Sequence, residues 1–284
     1  MSGGVTVGTA FREASRRLAA AGVASAHIDA RLLVGRALGV GPEVVVAHPE
    51  RQLEPAARRT IEGLLARRAA REPMSHILGA REFWGLDFAV SGDVLDPRPD
   101  SETVVGAALV QVGRRDRPLR MLDFGTGSGC LLLALLHELP AARGIGVDLS
   151  ASAINVARVN AASLGLADRA AFAVGRWGEG LTGRFDLVVA NPPYIRSGDL
   201  GGLAPEVARF EPRLALDGGA DGLASYRALA PDIARLLAPG GAAVVEFGAG
   251  QAAEVGAIMA AAGLAVLAVV PDLADRARCA VLAI

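Results

Sequence analysis

Asn191, Pro192, Pro193 and Tyr194 end a run, FDLVVA, that otherwise reads as a buried strand. As a stretch with two successive prolines they do not carry the sheet on, so their types ask for a chemical explanation. An asparagine amide has one acceptor oxygen and two donor hydrogens, and its oxygen can therefore receive a hydrogen bond from a substrate NH₂ group. Pro192 offers a carbonyl with no competing N–H and Pro193 fixes the backbone, so two acceptors can converge rigidly on one NH₂. Tyr194 supplies a flat face for a planar substrate. Such a pocket suits methyl transfer to a nitrogen whose lone pair is delocalised. The acceptors orient that nitrogen and favour the positive charge that grows on it as it attacks. Taken alone, the same four residues also make a rigid turn.

A second group of residues supplies a place for a cofactor. LDFGTGSGC sets Gly125, Gly127 and Gly129, with Thr126 and Ser128 between them, at a strand-to-helix turn. Missing side chains there let a ligand approach the backbone and the helix N-terminus. The dinucleotide fingerprint wants Gly or Ala where this chain has Cys130, so the GxGxG spacing suits another cofactor class. Asp148, in GVDLS at the end of the next strand, can accept both ribose hydroxyls of an adenosine. A helix N-cap is its alternative role, one that Ser150 can fill instead. Trp177, after the third strand, stands ready for the edge or face of a base, with a core tryptophan as the alternative.

These residues need a scaffold that brings strand ends together. From RMLDFG to RCAVLAI the chain alternates buried strand-like runs with helix-like ones, which indicates an α/β fold with an open, mostly parallel sheet covered on both faces. LAVLAVV and RCAVLAI are separated only by PDLADRA and must lie antiparallel, because a parallel crossover needs a dozen or more residues. Upstream, Phe11, Ala14 and Leu18, then Ile28, Leu32 and Leu33, then Ile61, Leu64 and Leu65 recur at helical spacing, with Pro42 and Pro55 near helix starts. The organisation expected is a helical bundle over 1–73, a β-hairpin linker over 74–90 rich in aromatics, and an α/β domain over 91–284.

Composition removes several classes of function. Apolar residues make up 52% of the 284 and charged ones 21%, as in a folded soluble protein. A net charge of −1 gives no global field toward nucleic acid or anionic membrane. All 29 basic residues are arginine, so there is no phosphate-loop lysine, Schiff-base lysine or lysine general base. Cys130 and Cys279 form no CxxC pair and the four histidines are scattered, so no metal is expected. The start of the chain lacks the pattern of a secretory signal, and Val255 to Val270 is too short for a membrane helix. A cytoplasmic protein, monomeric and with no need of membrane or nucleic acid, is the expectation.

DFGTGSG, GVDLS and NPPYI together resemble a class I methyltransferase that uses S-adenosylmethionine. HILGAREFWGLDF, VLDPRPDSE and EPRLALDGGADGL extend the likeness, in order, to the HemK/PrmC family of release-factor glutamine methyltransferases. The resemblance implies a Rossmann-like domain of seven strands, the last antiparallel, behind a helical substrate-recognition domain. It implies methylation of the side-chain amide nitrogen of glutamine in the Gly-Gly-Gln loop of peptide chain release factors. By position, Gly125 to Gly129 would line the cofactor loop, Asp148 would bind ribose and Trp177 adenine. Asn191 would hold the glutamine amide and also contact the cofactor, with Pro192, Pro193 and Tyr194 completing the substrate pocket. Arg98 and Glu102 of RPDSE match a family signature, and an ion pair at a helix start is an equal reading of them. Arg176 stands where an acidic residue often precedes the adenine-side aromatic, and Asp96 where an aliphatic residue is frequent. The rival readings are a ribosomal-protein glutamine methyltransferase, an enzyme acting on exocyclic amines of nucleic acid, and a catalytically silent scaffold.

Overall fold

The computed structural model describes residues 5–284. The chain divides into two compact units, one running up to Gly79 and including Ala204–Phe210, the other comprising Ala80–Leu203 and Glu211–Ile284.

The first unit is built from α1 (Val7–Ala20), α2 (Ala26–Leu38), α3 (Pro42–Ala47), α4 (Pro55–Ala69) and the short α5 (Met74–Leu78). Thr6 caps α1 by accepting from the Thr9 N–H, and α3 and α4 open on Pro42 and Pro55, where a missing N–H costs nothing. Ala14, Leu18, Leu33, Ile61 and Leu65 are buried in one cluster. Ile28, expected on the same inner face, is 54% exposed; Ala30, Leu33 and Val34 carry the inner face of α2 instead. The expected boundary at residue 73 moves to 79, because Ile77 of α5 packs into the helical core.

Charge holds this unit together as well. Arg68 is buried and donates through Nε to Asp29 at 2.7 Å and through Nη1 to Glu206 at 3.1 Å. Arg71 grips both oxygens of Glu206 at 2.7 Å each. These bonds recruit residues 204–210 into a unit otherwise drawn from the beginning of the chain.

The second unit opens with a hairpin, β1 (Ala80–Phe83) and β2 (Leu86–Ala89), which belongs to this unit by packing although its sequence reads as a linker. Its two-residue turn has Trp84 at φ 55° and Gly85 at φ 72°, the left-handed pair of a type I′ turn. Phe83 and Phe88 sink into the core, and a Glu102 carboxylate oxygen accepts the Trp84 N–H at 2.9 Å. After a 3₁₀ turn at Pro99–Ser101 come α6 (Glu102–Val112), β3 (Arg120–Phe124), α7 (Cys130–Glu138), β4 (Arg143–Asp148) and α8 (Ala151–Ser163). The chain continues through β5 (Ala170–Val174), β6 (Phe185–Ala190), α9 (Pro205–Phe210), which belongs to the first unit, then α10 (Arg213–Leu216) and α11 (Ala224–Leu236). It closes with β7 (Leu237–Glu246), α12 (Ala252–Ala261), β8 (Ala265–Pro271) and β9 (Ala277–Ala283).

Seven strands form one sheet in the order β5-β4-β3-β6-β7-β9-β8, with β9 antiparallel to both its neighbours and the other pairings parallel. Alternation along the central strands feeds two cores. Leu187, Val189, Val244 and Val281 face the one containing residues of α6 and α7, while Val188, Ala190, Val245 and Leu282 face the one containing residues of α11 and α12. Among the described residues no helix is long and apolar enough to cross a membrane.

Asp29→Ala strips the buried Arg68 of its shortest acceptor and is expected to cost about 3 kcal/mol, read as a lower urea midpoint by circular dichroism. Glu206 is held down to about 2, chiefly by its hydrogen bond from Arg71, against an ordinary value of 4.5. Its carboxylate therefore contributes stability that is complete above the ordinary value and is lost as pH falls toward 2. In Glu206→Gln, the loss of stability between those two pH values should be shallower than in the unsubstituted protein.

Candidate functional site

In an open α/β sheet the carboxyl ends of the parallel strands share one edge, and the loops leaving them converge there. The turns after β3, β4, β5 and β6 meet around a cavity of about 530 Å³. Gly125, Thr126, Gly127, Ser128, Asp148, Trp177, Asn191 and Pro193 line it, with Ser101, Arg98 and Leu214 also on its wall. The cavity falls within the size range of small-molecule sites.

The three glycines of the loop have different reasons to be glycine. Gly125 and Gly127 sit at φ 70° and 54°, and a Cβ on either would meet no other atom closer than 3.8 Å. Their open side faces free space in which a side chain would occupy the cradle. Gly129, at φ 83°, is absent from the cavity wall. A Cβ there would come within 3.1 Å of Leu133 and 3.3 Å of Ala157, so its role is close packing of the turn against α7 and α8.

Asp148 ties the loops together before any ligand arrives. Its Oδ2 accepts the Gly127 N–H and its Oδ1 the Ser150 N–H, both at 2.9 Å. Ser150 in turn caps α8 by accepting from the Ala153 N–H, which leaves the N-cap role to the serine. Each carboxylate oxygen keeps lone pairs for further donors, such as the two hydroxyls of a ribose. Below the loop, Asp123 is buried and accepts from the Thr126 hydroxyl at 2.6 Å. Burial pushes its carboxyl up to about 7, with the Thr126 bond opposing and the charge of Asp148 reinforcing.

Trp177 lies half-buried on the cavity wall with its ring edge-on to Phe124, centroids 6.4 Å apart. Its backbone is left-handed at φ 47°, an uncommon place for a bulky residue. The next residue is pinned from α11: Gly178 N–H donates to Asp232 at 3.0 Å and the Gly178 carbonyl accepts from Arg235 at 2.9 Å.

The segment after β6 is held just as firmly. Asn191 Nδ2 donates to the Ser101 Oγ at 3.0 Å. The Tyr194 carbonyl accepts from Gln251, and Ile195 exchanges backbone hydrogen bonds with Leu216 and Gly218. A Cβ on Gly218 would lie 2.8 Å from Tyr194 Cα, and one on Gly222 would lie 2.5 Å from the Tyr194 carbonyl oxygen. The glycines of LDGGADGL therefore allow a close backbone approach that clamps the segment. Asn191 and Pro193 reach the cavity wall. Pro192 is buried and Tyr194 packs beside the core of α11 and α12, so neither lies on the wall, in contrast to the sequence expectation.

Arg98 and Glu102 do not pair with each other. Arg98 Nη2 reaches both oxygens of Glu211 at 2.6 and 2.7 Å, while Glu102 serves the hairpin turn. Burial raises the Glu211 carboxyl even though Arg98 opposes. Two residues escaped sequence reasoning: Ser101, inside the RPDSE segment, and Glu246, at the carboxyl end of β7. Applying the strand-end rule to β7 as well as to β6 would have singled out Glu246.

Residues 9–79 match the family model of the PrmC N-terminal domain, and residues 115–259 match that of a methyltransferase domain. A release factor glutamine methyltransferase of Rhodospirillum rubrum is 48% identical over 93% of this chain and 80% of its own length. One of Caulobacter vibrioides is 46% identical over 96% of this chain and 95% of its own. The crystal structure of ribosomal protein L11 methylase from Lactobacillus delbrueckii subsp. bulgaricus shares the fold at TM-score 0.50 and 18% identity, covering 66% of this chain and 79% of that one. The cofactor of this class is S-adenosylmethionine, and the bare glycine cradle with the spare lone pairs of Asp148 fits it. On these matches the chain belongs to the family of release factor glutamine methyltransferases.

Proposed function

We propose that this enzyme methylates the side-chain amide nitrogen of the glutamine in the Gly-Gly-Gln loop of peptide chain release factors, with Asn191 as the group that holds the amide. The observation that carries the reading is that Asn191 shares one cavity with Gly125, Gly127 and Asp148. The names of relatives aligned over more than nine-tenths of the chain point to the same substrate.

When bound, S-adenosylmethionine would supply an electrophilic methyl group. Gly125 and Gly127 would give it close access to the backbone, Asp148 would accept its ribose hydroxyls, and Trp177 would flank its base. Asn191 Oδ1 and the Pro192 carbonyl are the acceptors for the two hydrogens of the substrate NH₂. Holding both hydrogens turns the nitrogen lone pair toward the methyl carbon and favours the positive charge that appears as the N–C bond forms. The nitrogen then sheds one proton, which an amide cation does readily without a strong base. Tyr194 does not serve as that base, because burial pushes its hydroxyl up to about 12. Its place behind the acceptors suits support of the segment. The helical unit ending at Gly79 is the part proposed to recognise the release factor, in keeping with its match to the PrmC N-terminal domain.

Transfer of labelled methyl to purified release factor, to its Gln-to-Ala loop variant, to ribosomal proteins and to duplex DNA tests the substrate. Label is expected on the intact release factor alone; label on ribosomal protein or DNA alone would keep the chemistry and overturn the substrate. Asn191→Ala should lower kcat about 100-fold, the loss typical of one transition-state hydrogen bond, with cofactor affinity unchanged. Asp148→Asn keeps the shape of the side chain but has a single acceptor oxygen. It should weaken S-adenosylmethionine binding by about 10-fold or more in calorimetry, as expected for a lost hydrogen bond to a charged group.

A further inference from the structure

The side-chain amide of Asn191 can be turned two ways, and only one presents an acceptor to the substrate. What selects that orientation is built into the sheet. β6 and β7 pair in parallel with Ala190 opposite Val245, so the next residues, Asn191 and Glu246, leave the two strands side by side. Glu246 is 1% exposed. Ser101 Oγ accepts from Asn191 Nδ2 at 3.0 Å, both side chains act to lower the Glu246 carboxyl, and the buried Glu246 Oε2 has no hydrogen-bond partner.

We propose that ionised Glu246 is a positioning residue for methyl transfer, fixing through Ser101 the orientation of Asn191 that offers Oδ1 to the substrate amide. The inference rests on Asn191 being the amide acceptor. A carboxylate can only accept, so it claims the single hydroxyl proton of Ser101 and leaves the Ser101 lone pairs for the Asn191 NH₂. The Asn191 NH₂ is then held from behind by Ser101, and the oxygen remains for the cavity. Once Glu246 is protonated its own O–H becomes a donor, and Ser101 no longer has to donate toward it. The amide is then free to turn, and an NH₂ facing the substrate NH₂ sets donor against donor.

Burial pushes the Glu246 carboxyl up to about 7, with the hydrogen bond from Ser101 as the largest opposing influence. The other titratable groups facing it are Arg278 and Cys279 on β9, Asp100 beside Ser101, Tyr194, Tyr226 on α11 and Cys130 on α7. Arg278 is already bound to Asp100 and Asp272 at 2.8 Å each. Burial raises both thiols to about 12, and both tyrosine hydroxyls also rise, so these four stay neutral near pH 7. Asp123 in the cofactor loop is also pushed to about 7, so a variant has to assign any limb seen there.

The test is the single-turnover rate of methyl transfer to release factor between pH 5.5 and 9, with S-adenosylmethionine affinity measured at each end. The unsubstituted enzyme should show a rate that rises with pH through a midpoint near 7. Glu246→Gln should bind the cofactor normally, lose the rising limb, and run about 10-fold slower at pH 8, one poorly placed hydrogen bond being worth about that much. Ser101→Ala removes the link between Glu246 and Asn191, so the rising limb should disappear there too, with cofactor binding unchanged. A limb that persists in Glu246→Gln or in Ser101→Ala, or a loss that appears only as weaker cofactor binding, would overturn the proposal. Asn191→Ala separates the layers: if it keeps the full rate, the acceptor assignment itself falls; if it fails while Glu246→Gln keeps its limb, only the positioning role falls.

Discussion

The register of β6 against β7 is the constraint on which the site depends. Parallel pairing of Ala190 with Val245 sends both strands off the sheet at the same level. A slip of one residue would turn Val188 and Ala190, and the whole inner face of β6, from one core to the other. The two hydrophobic cores therefore lock the place where Asn191 emerges, and Glu246 comes beside it without any loop having to be held by itself. β3 pairs with both β4 and β6, so the glycine loop and Asp148 end at the same edge. The residues proposed to hold cofactor and substrate thus meet because buried strands cannot slide.

Polar groups behind the wall take over where the sheet stops. Asp148 binds two backbone N–H groups, Asp123 receives Thr126, and Asp217 receives the Ser197 hydroxyl at 2.6 Å and the Gly219 N–H at 3.0 Å. Some of these bonds close a single turn and others join two segments, and each removes freedom from a stretch that touches the cavity. Burial raises Asp123, Glu211 and Glu246 above ordinary carboxyl behaviour, whereas the less buried Asp217, fed by several donors, is lowered. The site thus combines carboxyls committed to the charged form with others poised near neutrality.

The helical unit follows a different rule. Its apolar face is small, and a buried Arg68 shared between Asp29 and Glu206 adds directional bonds to the packing. Replacing one partner of such a network leaves a charge in a dry place, so it specifies which segments belong together more than it adds stability. That is how a stretch as distant in sequence as residues 204–210 comes to be part of this unit.

By itself the sequence determined the fold class, the seven strands, the cofactor loop and the NPPY segment, because period-2 and period-3.6 patterns and proline and glycine chemistry are local. It also located Asn191 and Asp148, since a strand end in an open sheet marks the mouth of the site. The tertiary structure decided what local patterns do not encode. Gly125 and Gly127 are bare toward a cavity while Gly129 is bare toward α8; Tyr194 turns to the core; Arg98 finds Glu211 and Glu102 finds the hairpin turn. Ser101 and Glu246 are 145 positions away from each other in the numbering and meet at Asn191 only through strand pairing and burial. Each of these outcomes is a choice among partners distant in sequence, made by packing and by the cost of leaving a buried polar group alone.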